Sequence, residues 1–194
     1  MTKKDIIFAS ITGFLVAIVF KGFFANTKFV TMSCNLLWIF TLLSILGLWI
    51  CEQIGKKYKF IYQAGKFFLV GAFATIVDIG SYKIFAFLLN FLIGTSIISK
   101  ALSFLVATAV KYSGNKVWVF EKNGKGEIKK EILQFTFITL IGTIIDVAVF
   151  YCLSRQSPWA TADATIWLEI SIIIAALVAS IWNFLGYKFI VFKK

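Results

Sequence analysis

Six apolar runs, each close to a bilayer thickness, alternate with short polar segments along the chain. They lie near residues 5–24, 33–52, 67–89, 94–113, 132–153 and 166–187. A helix crossing a hydrocarbon core needs about 17–25 such residues. The pattern predicts an all-α polytopic membrane protein with six transmembrane helices. The first run follows Met1-Thr-Lys-Lys, as a signal peptide would. It is longer than a signal-peptide core, a second run follows at once, and Phe23-Phe24-Ala25 is a poor cleavage site, so it reads as a retained helix. The segment 121–131, Glu-Lys-Asn-Gly-Lys-Gly-Glu-Ile-Lys-Lys-Glu, is the longest polar stretch between runs on the basic side and reads as a linker.

Composition agrees with a bilayer. Of 194 residues, 60% are hydrophobic and 15% charged, and mean hydropathy is +0.89. Soluble domains carry about 25% charge, and one of this size would expose far too much apolar surface. The formal charge of +11 would suggest nucleic acid in a soluble protein. Here the basic residues flank the apolar runs, so they read as topology signals and nucleic acid is not an expected partner.

With both termini cytoplasmic, fourteen Lys fall in inside segments, including Lys56, Lys57, Lys66, Lys116, Lys129, Lys130 and Lys188. Lys21, Lys28 and Arg155 fall outside, and Lys83, Lys100 and Lys111 lie within runs. That asymmetry is the positive-inside signature. Arg155 is the only Arg, so clamps built from several guanidiniums are excluded. There is no His, which removes the commonest general base and metal ligand. Cys34, Cys51 and Cys152 have no close pair and read as small buried hydrophobes. No metal-ligand cluster, phosphate-cradling Gly loop or nucleophile–base pair points to an enzyme or a cofactor.

Runs three and four resemble runs five and six. Phe67/Phe135, Thr75/Thr143, Ile76/Ile144 and Asp78/Asp146 match at an offset of 68. The hairpin ends Gly114-Asn-Lys-Val-Trp-Val-Phe120 and Gly186-Tyr-Lys-Phe-Ile-Val-Phe192 match at 72. A mid-helix Asp costs roughly 2.5–3.5 kcal/mol on insertion scales, so a matched Thr-x-x-Asp is informative where apolar matches are not. Both hairpins start and end inside. The repeat (66–120 and 134–192) is therefore parallel, with its expected pseudo-twofold axis along the membrane normal.

These residues carry a family resemblance. The Phe67–Asp78 stretch, with Val-Gly at 70–71 and Thr-x-x-Asp at 75–78, resembles the GtrA-like family of small membrane proteins. Asn115-Lys116-Val117-Trp118-Val119-Phe120 is similar to that family's Asn-basic-x-Trp-x-Phe, and Asn183-Phe184 with Lys188 to Phe192 resembles its second copy. Tyr187 and Ile190 depart from it, standing where the first copy has Asn115 and Trp118. The resemblance covers about 60–194, which implies a four-helix unit at 56–194 with the hairpin 1–55 as an addition. It also implies movement of polyprenyl-phosphate-linked sugars across the cytoplasmic membrane for glycosylation of surface polymers.

Candidate binding residues follow. Gly71, Thr75, Asp78 and Tyr82 share one helix face, as do Thr139, Thr143, Asp146 and Phe150. The two Asp either line a polar cavity or lock helix packing. Lys83 and Lys100 either meet a phosphate, form a Lys–Asp pair or snorkel outward with Asn90; Lys111 can snorkel. Ser96, Ser99, Ser103 and Ala107 add a small polar stripe. Asn115, Lys116, Trp118, Asn183 and Lys188 serve headgroup recognition or anchor helix ends at the interface. The other tryptophans read as belt or packing residues. The expected partners are a polyprenyl-phosphate-linked sugar and membrane lipid, with membrane glycosyltransferases or a homo-oligomer as further candidates. Two other functions remain open: a non-transporting partner subunit of a glycosyltransferase, and a proton-coupled exporter of small cations.

Overall fold

In the computed structural model the described residues are 1–23, 33–89, 95–122, 127–155 and 164–193, and they form six α-helices. These are α1 (Lys3–Phe23), α2 (Ser33–Gly55), α3 (Lys59–Leu88), α4 (Thr95–Gly114), α5 (Ile128–Ser154) and α6 (Ala164–Gly186). Asn90 and Pro158 lie outside the described residues. Four helical stretches are long and apolar enough to cross a membrane: Asn35–Gly55, Lys59–Leu88, Ile128–Ser154 and Ile170–Val191. Of the six helices α4 is the most polar. It carries Ser96, Ser99, Lys100, Ser103, Lys111 and Ser113, whereas the charges of α1 (Lys3, Lys4, Asp5 and Lys21) are confined to its two ends. The chain is a multi-pass membrane protein. Large apolar side chains face outward on every helix, among them Ile7, Leu42, Phe87, Ile97, Phe137 and Ile173, which suits lipid and not water.

Several helices overrun the apolar runs that announced them. α3 begins at Lys59, eight residues before Phe67. Each hairpin of the predicted repeat ends in a π-helical turn, Asn115–Val119 after α4 and Tyr187–Val191 after α6. Each turn closes with the same five-residue bond: Phe120 N–H donates to Asn115 O at 2.9 Å, and Phe192 N–H donates to Tyr187 O at 2.7 Å.

The chain divides into two compact units, 1–121 and 122–194. In the first unit the helices approach closely at small residues, as membrane helices do. A Cβ on Gly13 would lie 2.4 Å from Ser44 Oγ and 2.6 Å from the carbonyl oxygen of Phe40, so α1 and α2 are in near backbone contact. Ser44 Oγ uses that approach to donate to Ala9 O at 2.7 Å. Gly65 sits against Cys51 where α3 meets α2, and Gly114 sits against Val70 where α4 meets α3. The hairpin 1–55, an addition to the four-helix unit by sequence, packs with α3 in this unit.

In the second unit Gly186 packs on Ile138 and Gly142 on Asn183. Trp182 Nε1 donates to Ile138 O at 3.2 Å and Trp167 Nε1 to Leu153 O at 2.8 Å, pinning α6 to α5. Cys51 is half-buried and Cys152 exposed, so Cys152 is not the buried hydrophobe its apolar run suggested.

The buried stripe of α4 is Ser99, Ser103, Ala107 and, beyond the helix, Asn115. That of α6 is Ser171, Ala175, Ala179 and Tyr187. Each pair is 72 residues apart. Small side chains at every fourth position allow each unit its tight two-helix crossing.

Candidate functional site

The Thr-x-x-Asp motif of α3 meets the small polar stripe of α4. Lys100 and Ser103 are one turn apart and face α3 together. Lys100 Nζ reaches Asp78 Oδ2 at 2.5 Å, and Ser103 Oγ donates to Asp78 Oδ1 at 2.6 Å. Both carboxylate oxygens therefore have partners. The Asp78 side chain keeps 21% of its exposure and that of Lys100 59%, so the pair is open on one side. Of the alternatives for Lys100, the Lys–Asp pair is the observed one. Thr75, one turn away, donates to Gly71 O at 3.1 Å and does not bond the carboxylate. Lys83 is exposed and makes no ion pair among the described residues.

The second stretch of the predicted repeat lacks this arrangement. The positions 72 residues beyond Lys100 and Ser103 are Ile172 and Ala175, neither of which can bond a carboxylate. Asp146 is half-buried, with no hydrogen bond or ion pair among the described residues. Thr143 bonds its own helix at Thr139 O, 3.1 Å away, as Thr75 does. Thr139 in turn shares a 2.6 Å hydrogen bond with the Tyr187 hydroxyl, and the Tyr187 ring stacks on Phe135 with centroids 4.4 Å apart. Tyr187, at the sequence position 72 residues beyond Asn115, is thus held by stacking. Asn183 is buried with Oδ1 unsatisfied among the described residues.

At the end of the first hairpin, Asn115 is fully buried. Its Nδ2 donates to Lys111 O at 2.7 Å, while its Oδ1 lacks a partner among the described residues. Lys111 is half-buried one turn before it. Lys116 Nζ lies 3.3 Å from the Tyr112 hydroxyl and 5.7 Å from that ring's centroid. Lys188 sits likewise over Phe184, at 5.8 Å. Each is an ammonium over the aromatic ring four residues earlier, at a helix end.

Trp118 does more than anchor. Its indole Nε1 donates to Asp5 Oδ1 at 2.8 Å, across 113 residues of sequence. Lys66 Nζ is 3.1 Å from the same oxygen, and the Tyr62 hydroxyl donates to Oδ2 at 2.8 Å. Asp5, Tyr62 and Lys66 were not among the candidates read from the sequence. The one signal available was Thr2-x-x-Asp5, a capping box: Thr2 N–H donates to Asp5 Oδ2 at 2.7 Å and Asp5 N–H to Thr2 Oγ1 at 3.3 Å. Lys66 and Asp78 are twelve residues apart on α3, so this cluster lies about 18 Å along the helix from the Asp78–Lys100 pair. Among the described residues no group of three His, Cys, Asp or Glu side chains could hold a metal.

The family model described as GtrA/DPMS, transmembrane domain, matches residues 66–192. No curated protein and no solved structure matches the chain. The matched region contains Lys66, Asp78, Lys100, Ser103 and Trp118 and excludes Asp5 and Tyr62.

Proposed function

Since this chain belongs to the GtrA/DPMS transmembrane-domain family, we propose that it translocates a polyprenyl-phosphate-linked sugar across the cytoplasmic membrane, supplying glycosylation of a cell-surface polysaccharide. It does so as a carrier and not as an enzyme, with both termini cytoplasmic. The observation that carries the reading is the Asp78–Lys100–Ser103 cluster, an ammonium, a carboxylate and a hydroxyl held together between α3 and the polar stripe of α4. A phosphosugar headgroup entering hydrocarbon needs a cation for its phosphate and acceptors for its hydroxyls, because unpaired polar groups there cost several kcal/mol. Lys100 supplies the charge and Asp78 the acceptor. Their mutual pairing keeps the site neutral when no headgroup is bound. The polyprenyl chain stays in lipid against the apolar outer faces.

The test is reconstitution into liposomes with isotopically labelled polyprenyl-phosphosugar, scored by loss of label to an impermeant reagent. Lys100→Ala and Asp78→Asn should each abolish translocation while leaving yield and helicity near wild type. Lys129→Ala, on an exposed turn of α5, is the control. Lys122 is unsuitable for that purpose: its Nζ pairs with buried Glu131 at 3.0 Å and donates to Val191 O at 3.1 Å. Folded variants that translocate at full rate would make the cluster a packing device and favour the partner-subunit reading.

A further inference from the structure

Asp5 sits in the first turn of α1 and is 1% exposed. A capping box explains its reciprocal bonds with Thr2, whose hydroxyl also donates to Oδ2 at 2.7 Å. It does not explain why three donors from elsewhere converge on the same carboxylate. The Trp118 indole and the Lys66 ammonium share Oδ1 at 2.8 and 3.1 Å, and the Tyr62 hydroxyl takes Oδ2 at 2.8 Å. Lys66 also lies over the Tyr62 and Trp118 rings, at 4.7 and 5.3 Å from their centroids. Among the described residues its further ion-pair partner is Glu121, at 3.4 Å and largely exposed. One ammonium, one indole N–H and one phenol O–H, converging on the two oxygens of one carboxylate, make a pocket for an anion.

The occupant comes from outside the family-matched domain, while Lys66 and Trp118 lie inside it. An apolar groove of about 480 Å³ opens beside the pocket, lined by Phe8, Val70, Phe73, Val106, Ala109 and Val110. Phe8 joins the two, its ring 4.2 Å from that of Trp118 and 5.4 Å from that of Phe73. An anion pocket continuous with an apolar groove, at the ends of membrane helices, has the chemistry of a lipid phosphate: headgroup on Lys66, Tyr62 and Trp118, acyl or isoprenoid chain along the groove.

The geometry points to Tyr62, Lys66 and Trp118 as a lipid-phosphate pocket, separate from the Asp78–Lys100 pair, in which Asp5 of the N-terminal hairpin sits as a built-in competitor. The hairpin is then a gate on loading: lipid phosphate enters when Asp5 leaves. The ligand class rests on the proposed handling of lipid-linked phosphates; the competition by Asp5 does not.

The test is equilibrium binding of radiolabelled undecaprenyl phosphate to the full-length protein in phosphatidylcholine nanodiscs, with inorganic phosphate as a second arm. If the carboxylate occupies the pocket nine-tenths of the time or more, its removal raises apparent affinity about tenfold or more. Asp5→Ala and Asp5→Asn should show that gain, Asp5→Glu should stay near wild type, and the gain should vanish in the double variant Asp5→Ala/Lys66→Ala. Inorganic phosphate should bind far more weakly than the lipid, having nothing to place in the groove; equal binding would overturn the lipid assignment. A folded Asp5→Ala or Asp5→Asn protein with no gain would overturn the pocket, as would a gain that survives Lys66→Ala. Failure of both Asp5 variants to fold would make Asp5 a fixed structural counter-ion and overturn the proposal equally. A binding gain in a protein that does not translocate would sink the transport reading and leave the pocket standing.

Discussion

Replacing Gly13 by Ala adds one methyl group at the tightest crossing of the first hairpin. That methyl would meet Ser44 Oγ at 2.4 Å, Phe40 O at 2.6 Å and Thr41 Cα at 2.8 Å. Two of the three are backbone atoms and cannot rotate away. Relieving the Phe40 contact to an ordinary 3.4 Å moves α1 off α2 by 0.8 Å, the difference of the two distances. The same movement stretches the 2.7 Å bond from Ser44 Oγ to Ala9 O to the edge of hydrogen bonding. Overpacking of this kind costs about 1–3 kcal/mol and the lost bond about 0.5–1.5 kcal/mol, while Ala regains up to about 1 kcal/mol of helix propensity over Gly. The net expectation is destabilisation by about 1–3 kcal/mol, or roughly 5- to 150-fold in the folded-to-unfolded ratio. Gly47 on α2 provides the contrast, since a Cβ there meets nothing within 4 Å. Gly47→Ala should be neutral or stabilising by up to about 1 kcal/mol. Reversible unfolding of both purified variants in mixed micelles, followed by circular dichroism, gives the two differences on one scale. If Gly13→Ala is as stable as Gly47→Ala, the helices do not cross at Gly13, and the placement of α1 that presents Asp5 is wrong.

Other outcomes follow from the same geometry. In a double-mutant cycle, Asp78→Asn and Lys100→Met should show a coupling of about 0.5–3 kcal/mol, with the double variant more stable than additivity allows; additive effects would mean the pair does not form in the membrane. Single cysteines at Asn123 and Thr161, in a cysteine-free background, should react with an impermeant thiol reagent in intact cells only at 161; labelling at 123 would invert the topology. Gly186→Ala would place its methyl 2.6 Å from Ile138 Cγ2, so it should destabilise, and Ile138→Val should partly rescue it; failure of rescue would remove that contact. An experimental structure should superpose 67–120 on 135–192 by rotation about the membrane normal, and an inverted relation would end the parallel repeat.

The apolar runs made the helices legible, because hydrocarbon demands a single periodic solution from the backbone. Thr-x-x-Asp made Asp78 legible too, since an acid in mid-helix has no cheap explanation. Lys100 came with a Lys–Asp pair as one of its readings, but the hydrogen bond from Ser103 depends on the facing of two helices. The π-helical turns were invisible. Hydropathy does not register a five-residue bond, and the apolar runs close at 113 and 187 while helical structure continues to Val119 and Val191. The Asp5 seat was hidden for another reason. Its members are dispersed along 113 residues, and beside Lys3 and Lys4 an acid looks like ordinary interface charge. Lys66 had been fully accounted for as one topological lysine among fourteen. The matched stripes Ser99/Ser171 and Ala107/Ala179 were present in the sequence at the same offset of 72 and became noticeable only once burial singled them out.

Asp5 and Trp118 also set a clock on biogenesis. Chains elongate at roughly 5–20 residues per second, so Trp118, 113 residues on, emerges roughly 6 to 23 seconds after Asp5. Within that interval the leading hairpin is completed at Gly55, while the acid near its N-terminal end waits first for Tyr62 and Lys66 and then for the indole. A nascent chain halted before residue 118 would carry an ammonium–carboxylate pair with an incomplete wall around it. Chains arrested at successive lengths and pulsed with a membrane-impermeant carboxyl reagent should show Asp5 shielded in two steps, one after residue 66 has emerged and the second after residue 118.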